Sequence, residues 1–132
     1  MNQMNNKIRI VWIDATEVCP QSIRGMSTDC EYDFSFSNSV ERLTDSQLTA
    51  DIFVIYVDTH IDQIDTLKLV TSRVGATPII IARVGGHSFE LAVSAMDKGV
   101  TTIIAAEEKG QDDWRARLEA LKPQYPYLKV TN

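Results

Sequence analysis

Residues 51–60 read DIFVIYVDTH, an apolar run that stops on a carboxylate and then an imidazole. Ile52 to Val57 lack the period-two alternation of a half-buried strand, as expected of a strand covered on both faces. Asp58 and His60 then mark the point where that strand would leave a core. Similar short runs occur at Ile8–Ile13 (IRIVWI), Pro78–Ala82 (PIIIA) and Thr101–Ala105 (TTIIA). Tyr32–Phe36 (YDFSF) differs, alternating aromatic and polar residues as an edge strand would.

The intervals between these runs carry helical periodicity. Ile61, Ile64, Leu67, Val70 and Val74 share one face. Phe89, Ala92, Val93 and Met96 make a second stripe, with Gly99 placed to stop that helix. Asp112 and Asp113 suit a helix N-terminus, and Trp114, Leu118 and Leu121 are expected to face inward. SNSVERLTDSQL (residues 37–48) is a weaker helix, with Ser37 or Asn38 as its cap, and the interval from Asp14 to Cys30 admits only a short helix after Pro20.

Strands alternating with helices imply right-handed parallel βαβ units with helices on both faces. Five such units predict an α/β, flavodoxin-like sheet of order 2-1-3-4-5. Ligands and chemistry then lie outside the carboxyl ends of the strands, where Asp14, Asp58, Arg83 and Ala105–Ala106 are expected to meet.

Bulk properties narrow the function classes. The 132 residues suffice for one domain. A net charge of −5 without a basic stripe argues against direct nucleic-acid binding. No stretch approaches the ~18 apolar residues of a membrane span, and no apolar leader follows the polar MNQMNNK. Two cysteines are read as reduced thiols, so a cytoplasmic location is expected. The last ten residues, PQYPYLKVTN (123–132), read as a tail or the start of a linker after a domain over 1–122.

The order and spacing of these runs resemble a bacterial response-regulator receiver domain. KIRIVWID is similar to that family's first strand, DIFVIYVDTHIDQIDTLKLV to its third strand and following helix, TPIIIAR to its fourth strand, and AMDKGVTTIIAA to the approach to its fifth. The resemblance runs from Lys7 to Lys122 and places Asp58 on the phosphoacceptor position. The rest of the expected chemistry is missing. Where receivers place two metal-holding acids stand Trp12 and Ile13, with Asp14 just beyond. Where a Thr or Ser ends the fourth strand stands Arg83, or Val84 if the register shifts by one. Where a Lys ends the fifth stand Ala105 and Ala106, and Lys109 comes too late.

The resemblance, with these departures, implies a degenerate pseudo-receiver: a phosphorylation-independent interaction domain in signalling, not an enzyme, with no cofactor and no metal. Asp58 becomes a vestigial acceptor, tied up by Arg83. Its partner would be a protein or an attached output domain, and the family's usual contact face falls here on Ser88–Lys122, where a homodimer could also form. The alternatives are a working receiver phosphorylated on Asp58 by a histidine kinase, and a small flavodoxin-like enzyme or ligand-binding domain.

Weaker signals serve that last alternative. Cys19 to Arg24 (CPQSIR) has four intervening residues where a phosphatase loop needs five, and a Pro among them. Asp58-Thr59-His60 lacks the Gly of cobalamin-binding motifs, having Gln63 instead. Gly85–Gly86 ahead of a helix reads as loop flexibility more readily than as an anion cradle. His60 reads as a polar cap and His87 as solvent-facing. Glu107, Glu108, Asp112 and Asp113 read as a solvated loop and helix start. Trp12 and Trp114 are expected in the core or an interface.

Overall fold

A computed structural model describes residues 8–14, 32–57, 61–75, 78–85, 89–105, 111–121 and 123. The strands are β1 (Ile8–Ile13), β2 (Tyr32–Ser37), β3 (Ile52–Val57), β4 (Ile79–Val84) and β5 (Thr102–Ala105). They form one parallel sheet in the order β2-β1-β3-β4-β5, as the sequence predicts. The helices are α1 (Asp45–Leu48), α2 (Gln63–Arg73), α3 (Phe89–Asp97) and α4 (Gln111–Leu121), and a single 3-10 turn covers Val40–Arg42.

Alternation along each central strand sends neighbouring side chains into two separate cores. Ile10, Trp12, Ile52, Val54, Ile79 and Ile81 pack with Trp114, Leu118 and Leu121 of α4. Val11, Ile13, Phe53, Ile55, Val57, Ile80 and Val84 pack instead with Ile64 and Leu67 of α2 and Ala95 of α3. Each such buried aliphatic or aromatic side chain contributes roughly 1.5–3 kcal/mol. The continuous apolar runs are therefore explained by two covered faces.

Two segments differ from expectation. Residues 37–48 do not form one helix: Ser37 closes β2, and α1 starts only after Thr44. Thr44 and Gln47 form a capping box, Thr44 Oγ1 accepting from the Gln47 N–H at 3.2 Å and Gln47 Oε1 from the Thr44 N–H at 2.9 Å. That reciprocal pair satisfies two donors at once and fixes the later start. The Arg9 guanidinium then reaches from β1 to the Ser46 carbonyl and the Thr49 hydroxyl, pinning α1 by polar bonds rather than an apolar face.

The second difference is α3. Ala95 is buried, whereas Phe89, Val93 and Met96 are 80%, 42% and 53% exposed. The stripe read from periodicity thus points outward, because the small face of Ala95 is what the sheet admits. Gly99 does end the segment as expected: its φ is 88°, and the N–H groups of Gly99 and Val100 donate to Met96 and Ala95 carbonyls.

Candidate functional site at the carboxyl ends of the strands

β1, β3 and β4 run in register, with Ile13 beside Ile55 and Tyr56 beside Arg83. Carried one residue on, that register sets Asp14, Tyr56 and Arg83 in one row across three strands. Their side chains share the parity of Trp12 and so belong to the α4 side of the sheet. The Asp14 N–H donates to the Ser37 carbonyl at 3.1 Å, which holds the residue at the edge of β2.

The row is closed by charge. Arg83 Nη1 donates to Asp14 Oδ2 at 3.1 Å, and both side chains are 8% exposed. The guanidinium carbon lies 4.6 Å from the Trp12 ring centre and 5.5 Å from that of Tyr56. Trp12 in turn meets Trp114 of α4 edge-to-face, with centroids 5.1 Å apart. A planar, weakly hydrated guanidinium is suited to this place, since it can stack on aromatic faces while its edge serves a carboxylate. The Trp12 indole N–H is buried and has no hydrogen-bond partner among the described residues.

Gly85 completes the cluster. Its N–H donates to the Val57 carbonyl at 3.1 Å. A Cβ at this position would collide with the Tyr56 hydroxyl, so Tyr56 lies directly across the end of β4. The first glycine of the Gly85–Gly86 pair is accounted for by this close approach, not by loop flexibility. Gly86 lies outside the described residues.

The predicted site residues separate as follows. Asp14 and Arg83 are brought together. Trp12 and Ile13 are buried on opposite faces, at 2% and 3% exposure, and both are core residues. Ala105 ends β5, with its backbone in register with Val84. Asp58, Ala106, His60, His87, Lys109, Cys19 and Arg24 lie outside the described residues, as does the tail from 124 onward. Arg83 pairs with Asp14, and Asp58, the partner that the sequence reading named for it, lies outside the described residues. Tyr56 was missed altogether. Its signal was the one hydroxyl in an otherwise wholly apolar strand.

No protein-family model matches the sequence, and no curated protein compared with it does either. Solved structures do. A response regulator receiver protein from Pseudoalteromonas atlantica superposes with a TM-score of 0.64 at 14% identity, covering 88% of this chain and 98% of that one. HP1043, an orphan response regulator of H. pylori, gives 0.68 at 16% identity over 94% of this chain and 98% of its own. An atypical orphan response regulator, described as having a phosphorylation-independent regulatory mechanism, gives 0.68 at 17% identity over 94% and 99%. The chain therefore has the flavodoxin-like fold of receiver domains.

Proposed function

We propose that this chain is a receiver-like regulatory domain that works by protein contact and without aspartyl phosphorylation. The observation that carries this reading is the buried pair of Asp14 and Arg83. Aspartyl phosphorylation needs a divalent cation and an ammonium to neutralise charge that builds on the transferring phosphoryl group. Here a guanidinium stacked on Trp12 already neutralises the carboxylate at the end of β1. Trp12 and Ile13 offer no oxygen ligands, and Mg²⁺ prefers carboxylate and water oxygens in near-octahedral array. Forfeiting metal-type stabilisation costs several kcal/mol of barrier, and each ~1.4 kcal/mol is a factor of ten in rate.

Asp58 is on this reading a vestigial acceptor, and Ala105 and Ala106 stand where a charge-bearing residue would complete a working site. The domain spans 1–122, with 123–132 a tail or the start of a linker. It is not an enzyme and needs no cofactor. The orphan regulators of the same fold support the reading, since one of them is described as phosphorylation-independent. Among the described residues no helix is long and apolar enough to cross a membrane. Contacts are made through the Ser88–Lys122 region, which includes the outward stripe of α3.

The test is direct. The protein is incubated with Mg²⁺ and acetyl phosphate, or with beryllofluoride, and its intact mass and ¹⁹F spectrum are recorded. No adduct is expected. Stoichiometric modification of Asp58, with magnesium bound beside it, would overturn the reading.

A further inference from the structure

We propose that the outward face of α3 is the docking site for a basic amphipathic helix of a partner protein. This rests on the protein-contact reading above and names the chemistry of the partner.

Phe89, Val93 and Met96 stand at i, i+4 and i+7, one above another on a single helical face. All three are exposed, Phe89 at 80%. The helix keeps its own place with Ala95, which is fully buried, and with half-buried Leu91. A row of three large apolar side chains at this spacing matches the anchors by which one amphipathic helix reads another. Met96 adds an adaptable thioether to that surface.

Charge selects among the occupants. Glu90 and Asp97, seven residues apart, are both exposed and lie about a quarter turn to the same side of the stripe. The nearest cation of the segment, Lys98, is turned away: its ammonium pairs with Asp65 of α2 at 2.5 Å. Lys68 of α2 likewise donates to the Lys98 carbonyl at 2.7 Å. The stripe is thus flanked by acid on one side, on a chain whose net charge is −5. Two copies pairing α3 antiparallel about a two-fold would bring the acid flank of one against the acid flank of the other. A helix with apolar anchors and lysine or arginine along one flank meets no such repulsion. Its charges steer the encounter and fix its direction along α3.

The probe is a pair of helix-forming peptides, each with leucines at i, i+4 and i+7, one carrying lysines and the other glutamates on the flank. Binding is followed by fluorescence anisotropy and by backbone amide shifts. The lysine peptide is expected to bind roughly tenfold tighter at low salt, a few-fold for each exposed charge contact, with the advantage fading as salt rises. Amide shifts are expected to centre on α3. Met96→Asp, at an exposed position, is expected to abolish binding with the fold intact. Glu90→Lys with Asp97→Lys is expected to reverse the peptide preference.

Equal binding of the two peptides, binding of neither, or a preference that survives the charge reversal would overturn the proposal. So would a dimer in sedimentation that Met96→Asp dissolves, since the stripe would then belong to a second copy. Beryllofluoride labelling of the same preparation separates two failures. An adduct defeats the phosphorylation-independent reading whatever the peptides do, and lost charge selectivity defeats the docking site while leaving that reading in place.

Discussion

The two faces of the sheet are built from the same five strands and differ in what they bury. Toward α2 and α3 the face is apolar from end to end, from Val11 and Phe53 to Val57 and Val84. Toward α4 it begins with Ile8, Ile10, Ile52 and Ile79, then turns aromatic and charged as the strands end, at Trp12, Tyr56, Arg83 and Asp14. The first face tolerates any arrangement that fills its volume. The second demands a particular arrangement, because its buried charges are paired across strands. Buried ion pairs are poor contributors to net stability: well-packed apolar side chains of similar volume serve as well or better. A pair retained in such a place marks the corner where geometry matters most.

Six substitutions, made singly or in pairs, would break or sharpen this contrast. Asp14→Ala leaves the Arg83 guanidinium buried without that carboxylate, and should cost about 3–5 kcal/mol in urea unfolding. Adding Arg83→Met should return most of that loss, and a double variant that merely sums two penalties would erase the distinction between the faces. On the apolar side, Leu67→Ala should cost about 2–5 kcal/mol through a cavity at a fully buried site. No second change of charge should relieve it.

Smaller effects follow at the edges of the cluster. Gly85→Ala should destabilise by about 1–3 kcal/mol, as overpacking does, because its methyl meets the Tyr56 hydroxyl. Combining it with Tyr56→Phe should restore part of the loss, which a thermal melt would reveal. Thr44→Ala removes the capping box of α1 and should cost about 1 kcal/mol. That loss should be the same whether or not the Asp14–Arg83 pair is intact, since Thr44 touches neither residue.

The strands and their order were legible because a buried parallel strand leaves a continuous apolar run, and alternation with helices admits few topologies. Helical faces were only half legible. Periodicity grouped Phe89, Val93 and Met96 as securely as it grouped Trp114, Leu118 and Leu121, yet the first group is exposed and the second buried. A repeat says which residues share a face. Where that face points depends on the room above the sheet, and over β4 and β5 the inward position went to Ala95. The start of α1 was misjudged because Ser37, Asn38 and Thr44 are all competent caps, and the choice turned on Gln47 standing three residues after Thr44.

The site was legible as a place but not as a set of contacts. Asp14 and Arg83 are 69 positions apart, and sequence spacing does not say that they meet. Inter-strand register brings them together, by setting Asp14 in the row of Tyr56 and Arg83. Tyr56 went unnoticed for the same reason: its contacts with Arg83 and Gly85 lie across strands and are invisible along the chain.

The meeting of Trp12 and Trp114 has a practical consequence. They are the only two tryptophans in the chain, one on β1 and one on α4, with a guanidinium packed against the first. Emission excited selectively from tryptophan is therefore a gauge of a single joint. It would register the lifting of α4 from the strands, or the withdrawal of Arg83, while the aliphatic side of the molecule stayed optically silent.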